Sequence, residues 1–93
     1  MRLRFYLDSR TGQPHVHGHD VTEEEVEDVL TDPGEDRPGD QGARIAIGRT
    51  EGGRYLRVIY VPDPEPDSAF VITAYTLEGK ALAAYKRRRR KKK

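Results

Sequence analysis

The sequence predicts an α+β domain: an antiparallel sheet of three to four strands with two short helices packed against it. Three observations carry this expectation. Residues 44–75 hold three stretches of period-two apolar alternation separated by turn signals, which is strand periodicity. Thr22-Glu23-Glu24-Glu25 opens an i, i+3, i+4 apolar stripe that Asp32-Pro33 closes, which marks both ends of a helix. The chain has 93 residues, enough for one domain with a thin core, since a domain of this size buries only about 60–65% of its unfolded surface.

Taken in order, residues 2–7 alternate, with Leu3, Phe5 and Leu7 on one side and Arg2, Arg4 and Tyr6 on the other, a half-buried strand. SRTGQP (9–14) is a turn, and HVHGH (15–19) is extended or irregular. In the first helix, residues 23–31, Val26, Val29 and Leu30 form the buried stripe and Val21 acts as a staple before the Thr22 cap. Its three leading glutamates suit the positive end of the helix dipole. Residues 33–42 read as a polar loop. Residues 44–50 form a strand with Ile45 and Ile47 inward, and Glu51-Gly52-Gly53 a hairpin turn. Residues 54–61 set Leu56, Val58 and Tyr60 against Tyr55, Arg57 and Ile59. PDPEPD (62–67) is a stiff acidic loop. Residues 69–75 set Phe70, Ile72 and Ala74 against Val71, Thr73 and Tyr75. A second helix runs from Glu78 to about residue 89, with Leu82 and Tyr85 at i, i+3. The order is β-α-β-β-β-α, and the first helix is expected on the face that holds Ile45, Ile47, Leu56 and Val58.

The net charge of +1 hides an asymmetry. Residues 86–93 read KRRRRKKK, eight of the 17 basic side chains, so residues 1–85 keep nine against 16 acidic ones, a net of −7. The expected organisation is a single α+β domain over 1–85 and a polybasic C-terminal tail over 86–93. There is no cysteine, hence no disulfide framework and no cysteine-based zinc site. No apolar run approaches the roughly 20 residues of a membrane span, and MRLRFYLDSR lacks the apolar stretch of a signal peptide. The expected location is the cytoplasm, with no membrane partner.

Phe5, Asp8, His19, Val21-Thr22, Glu24-Glu25 and Asp32-Pro33, in that order and spacing, resemble the BrnT family of RelE-like ribonuclease toxins and a neighbouring small domain family of unknown function. RIAIGRTEGGRYLRVIY (44–60) is similar to the family's paired strands around Gly-Arg, VITAY (71–75) stands where the family carries Ile-Ile-Ser-Ala-Arg, and Tyr85 falls at its last-helix tyrosine. The resemblance implies a RelE/BrnT-like fold and a metal-independent endoribonuclease of a toxin–antitoxin pair, without a cofactor. RNA and a small ribbon-helix-helix antitoxin would be its partners. Three departures bear on catalysis: Tyr75 and Phe70 replace family arginines, and Ala81 replaces a glutamate. SRTGQPHVHG also replaces a helix. The alternative is a non-catalytic RNA- or ribosome-binding module with the same fold.

The chemistry that the resemblance implies is attack of a ribose 2′-hydroxyl on the adjacent phosphate. It needs a base, cations on the phosphate and an acid for the leaving oxygen. Arginine's planar fork suits the second task. Arg44, Arg54 and Arg57 are the expected phosphate ligands, and His19 the base or a structural anchor. Tyr75, Lys80 and Tyr85 are acid or electrostatic groups. Arg49 and the tail (Lys86, Arg87, Arg88, Arg89, Arg90, Lys91, Lys92 and Lys93) are expected nucleic-acid contacts, binding with counterion release and hence strong salt dependence. The other readings of the tail are a solubility device or an intramolecular clamp on the acidic first helix. His15, His17 and His19 would share one side of an extended strand, as zinc or nickel ligands do, but they lack a soft fourth ligand. No structural metal is expected.

Overall fold

The computed structural model describes residues 1–91; Lys92 and Lys93 of the expected tail lie outside the described residues. The elements are β1 (Arg2–Phe5), a 3₁₀ turn (His15–His19), α1 (Glu23–Thr31), β2 (Glu35–Pro38), β3 (Arg44–Arg49), β4 (Tyr55–Pro62), β5 (Ser68–Thr76) and α2 (Gly79–Lys91). One open sheet has the order β1-β5-β4-β3-β2. Strands β2 to β5 form an antiparallel meander, and β1 adds to β5 in parallel. The class is α+β as expected, but the sheet is mixed and five-stranded rather than antiparallel with three or four strands.

The extra strand is β2, which lies in the stretch expected to be a loop. Glu35-Asp36-Arg37-Pro38 has no apolar alternation, and its proline and charges are typical of an edge strand, where the outer side faces water. Its pairing with β3 sets Glu35 beside Ile47 and Asp36 beside Ala46. Side-chain ion pairs rather than apolar contacts secure it, as described below.

α1 forms as its sequence dictates. The Thr22 hydroxyl accepts from the Glu25 amide at 3.1 Å, and the Glu25 carboxylate accepts from the Thr22 amide at 3.0 Å. Val26 and Val29 are fully buried, and Val21 lies beneath the cap. They meet Ala46, Leu56, Val58, Tyr60, Val71 and Ala74 in one core cluster, which Val16 of the 3₁₀ turn joins, with Leu3 and Phe5 packed against it. A second cluster on the opposite face of the sheet joins Ile47, Leu77 and Tyr85, with Ile45, Tyr55 and Leu82 packed on it. The two helices therefore cover opposite faces.

This corrects the expected register. Ile45 and Ile47 pair with Ile59 and Arg57, while Ala46 pairs with Val58. Directly paired residues share a face, so the two isoleucines lie under α2 and not with Leu56 and Val58 under α1. A second correction concerns β5. A register shift between Ile59 and Tyr60 leaves Thr73 opposite Ile59 and Val71 opposite Tyr60, so Ile72 is the extra residue of a bulge. Val71 and Ala74 both reach the α1 core because of it. Among the described residues, no helix is long and apolar enough to cross a membrane.

Candidate nucleic-acid interface

The α2 face begins with β5 handing the chain to Leu77, which is buried, and to Gly79, whose φ of 63° sits in the left-handed region that glycine tolerates. From there α2 crosses the end of the sheet towards β2. Tyr85 is 5% exposed and meets Tyr55 edge-on, with ring centroids 6.0 Å apart. Its hydroxyl lies against Gly34, where a Cβ would overlap it. Burial raises the Tyr85 phenol above its ordinary pKa, and the nearby Arg89 partly opposes this.

The basic run continues the same helix. Arg88 grips Glu35 with two hydrogen bonds of 2.7 and 2.9 Å, a bidentate charge-assisted pair. This hydrogen bond raises the Arg88 pKa further. Arg37 donates to the same carboxylate at 2.6 Å. Arg89 donates to the Gly34 carbonyl at 2.7 Å. Two of the expected nucleic-acid contacts thus fasten α2 to the start of β2: Arg88 finds a carboxylate of β2 rather than of the acidic first helix, and Arg89 a backbone carbonyl just before it. Lys86 holds its ammonium 5.2 Å above the Tyr55 ring, a cation–π contact. Arg87 and Arg90 are exposed and make no ion pair with another described residue. Lys91 closes the described helix.

The strand cations divide between the two faces. Arg44 donates to Asp36 at 2.9 Å, and Asp36 also accepts from the Tyr60 hydroxyl at 2.6 Å. The Asp36 hydrogen bond raises the Arg44 pKa. Burial and then the bond to Asp36 push Tyr60 up to about 12. Arg54 reaches Glu25 at 3.1 Å, Thr76 Oγ1 at 2.7 Å and the Asp20 carbonyl, tying the start of α1 to the ends of β4 and β5. Both arginines belong to the α1 side and are held by structural partners. Arg57 lies on the α2 side beside Ile47 and Tyr75, its register partners. Its Nε is buried with no hydrogen-bond partner among the described residues. Arg49, at the end of β3, stands on the ridge between an acidic hollow (Glu27, Asp28, Asp32, Glu51) and a basic pocket formed with α2, and makes an ion pair in neither.

His19 and Tyr75 meet edge-on with centroids 6.0 Å apart, so His19, Tyr75 and Arg57 are consecutive neighbours. The histidine segment is a 3₁₀ turn, not a strand, and His17 turns away from the other two rings. His15 faces Asp8 at 3.9 Å, His17 faces Glu23 at 3.2 Å, and His15 packs on His19. Among the described residues, no group of three or more His, Asp or Glu side chains is gathered so that it could hold a metal ion. Lys80 is exposed in the first turn of α2. The expected catalytic set is therefore not one cluster: Arg57, Tyr75 and His19 come together, Tyr85 is a buried packing residue, Lys80 is on the outside of α2, and Arg44 and Arg54 are on the other face.

Sequence reasoning missed Tyr55, Glu35, Gly34 and Gly53. Tyr55 was on the same strand face as Arg57 and could have been found from that alternation. Gly34 and Glu35 lay in a stretch without periodicity and carried no signal. A family model described as a domain of unknown function (DUF4258) matches residues 16–76, from the 3₁₀ turn through β5. No curated protein matches the chain.

Proposed function

The chain belongs to the DUF4258 family, a domain of unknown function, and from that premise we propose that it is an RNA-directed, toxin-like protein that holds the phosphate backbone along the α2 side of its sheet. One observation carries this reading. Of the candidate cations, those without an ionic partner among the described residues (Arg49, Arg57, Lys80, Lys86, Arg87, Arg89 and Arg90) belong to the α2 side, whereas Arg44 and Arg54 are neutralised on the α1 side. Partner-free cations on one side release counterions when they meet phosphates, which drives sequence-independent binding. The acidic side chains of α1 lie on the opposite face and keep the polyanion to one side. The fold is read as a RelE/BrnT-like variant with an added edge strand, and a small ribbon-helix-helix antitoxin as the partner that silences it.

A metal-independent ribonuclease is the second reading, favoured by the unpartnered Arg57 Nε beside Tyr75 and His19. A buried donor without an acceptor is costly, and a rotation of the side chain that let a phosphate oxygen reach it would relieve that cost. In this reading the 2′-oxygen bonds to phosphorus and the phosphorus–5′-oxygen bond breaks. His19 takes the 2′ proton and Tyr75 supplies one to the leaving oxygen, while Arg57 holds the charge that develops on phosphate. The absence of Arg44 and Arg54 from this cluster favours binding over chemistry. The test is a salt titration of wild type and Arg57→Ala on two unrelated RNAs, followed by gel analysis. Salt-sensitive binding by both proteins supports the RNA-directed reading, and binding by neither removes it. Cleavage by wild type that Arg57→Ala abolishes supports the ribonuclease; cleavage that persists unchanged in Arg57→Ala removes it.

A further inference from the structure

We propose that the basic pocket between the β3–β4 turn and α2 binds a single phosphorylated nucleotide, its phosphate held by Arg49 and Arg90 and its base laid on Tyr55. The inference rests on the RNA-directed reading and names the unit of RNA, such as a phosphorylated strand end, that this surface would capture.

The pocket has a volume of ≈ 400 Å³ and is lined by Arg49, Tyr55, Tyr85, Lys86, Arg89 and Arg90. That volume lies within the range of roughly 300–1,000 Å³ typical of small-ligand sites, and exceeds what a bare phosphate fills. The lining holds four cations, two phenol rings and no carboxylate, so its chemistry selects an anion with an aromatic part. Arg89 is steadied by the Gly34 carbonyl, but Arg49 and Arg90 have no ionic partner among the described residues. Their mutual repulsion is relieved by an anion placed between them, and a guanidinium fork fits two phosphate oxygens.

Two details fit this occupant. Gly53 has φ 94°, and a Cβ there would stand 3.3 Å from the Arg49 Nη2, so the bare turn leaves that guanidinium room. The Lys86 ammonium over Tyr55 marks that ring face as electron-rich and places a flexible side chain over it. When Lys86 swings to the phosphate, a base can take its place by stacking. The acidic hollow on the other flank of Arg49 repels phosphate and confines it to the α2 side.

The experiment is an NMR amide titration of the full chain at low salt with adenosine 5′-monophosphate, adenosine and inorganic phosphate, repeated on Arg49→Gln and Tyr55→Leu. A single-stranded RNA dodecamer serves as a separate arm. The expected result is that the monophosphate moves the amides of Arg49, Gly53, Tyr55 and the second half of α2. Adenosine and phosphate alone should each bind at least roughly tenfold more weakly, and Arg49→Gln should weaken the monophosphate roughly tenfold. Phosphate binding as tightly as the nucleotide, equal binding by Arg49→Gln, or shifts confined to other surfaces would overturn the proposal. If Tyr55→Leu does not fold, the comparison of the three ligands on wild type decides the stacking claim. Dodecamer binding without monophosphate binding overturns the pocket and leaves the RNA-directed reading intact, whereas binding of neither overturns both.

Discussion

Tyr60 places its ring in the α1 core and its hydroxyl on Asp36, and these together hold the phenol at about 12. An unfolded tyrosine ionises near 10. The folded pKa is the higher, so above pH 10 the unfolded chain binds fewer protons and stability falls with rising pH. We expect the Tyr60 contribution to be constant from neutral pH to pH 10 and to decline between pH 10 and 12. Tyr60→Phe should shrink that decline, with the remainder due to Tyr85, whose phenol is also raised. Urea unfolding at pH 8, 10 and 11 checks this, and an equal decline in the phenylalanine variant would contradict it. Gly34 is a second residue whose effect is local. It carries no positive φ, so Gly34→Ala acts chiefly through overlap with the Tyr85 hydroxyl, with the Arg89 guanidinium 3.4 Å from the added Cβ. Overpacking of this kind costs about 1–3 kcal/mol, and a thermal melt together with the tyrosine near-UV signal should show both the loss and the displaced ring.

Each helix depends on a polar junction as much as on its apolar face. At the start of α1, one carboxylate serves two partners: Glu25 closes the capping box and also receives Arg54. Thr22→Ala removes only the cap and should cost about 1 kcal/mol. Glu25→Ala should cost more, because it also leaves Arg54 half-buried without its counter-charge. A double-mutant cycle between positions 25 and 54 should show positive coupling; additivity would mean that Arg54 is held by Thr76 and the Asp20 carbonyl alone. At the far end of α2, Arg88 and Arg89 hold the helix to β2. Arg88→Gln should speed hydrogen exchange of the α2 amides beyond Tyr85, while Arg87→Gln should leave them unchanged. Equal protection in both would show that Tyr85 by itself seats the helix.

The sheet separates the charges of the molecule, with the acidic first helix on one face and the basic second helix on the other. RNA binding should therefore respond to the exposed α2 cations and not to total charge. A triple variant, Lys86→Gln, Arg87→Gln and Arg90→Gln, keeps the anchors Arg88 and Arg89. Each lost phosphate contact should reduce the salt slope by about 0.7 for a single strand, hence by about 2 for three. Folding stability should change by no more than the roughly 0.5–1 kcal/mol of the Lys86–Tyr55 cation–π contact. Truncating residues 87–93 would be a harsher test, because it also removes both anchors. An unchanged slope in the triple variant would assign the RNA contacts to another surface.

The sequence by itself determined the elements that local physics dictates. The capping box, the Asp-Pro stop and the Val26, Val29, Leu30 stripe define α1, and alternation with a glycine turn defines β3 and β4. A run of good helix formers bearing Leu82 and Tyr85 begins α2. Eight consecutive cations also made the charge asymmetry plain. Only the tertiary structure decided which sheet face each helix covers, because period-two patterning distinguishes two faces without saying which is which, and a shift of one residue exchanges them. That is why Ile45 and Ile47 came out under α2. β2 was invisible because it is held by backbone pairing with β3 and by Arg44 and Arg88 acting on its carboxylates, not by apolar periodicity. The candidate site was legible in its residue types but not in its membership: whether an arginine meets phosphate or a carboxylate depends on what folding places within about 4 Å of it, and for Arg44 and Arg54 folding placed Asp36 and Glu25 there.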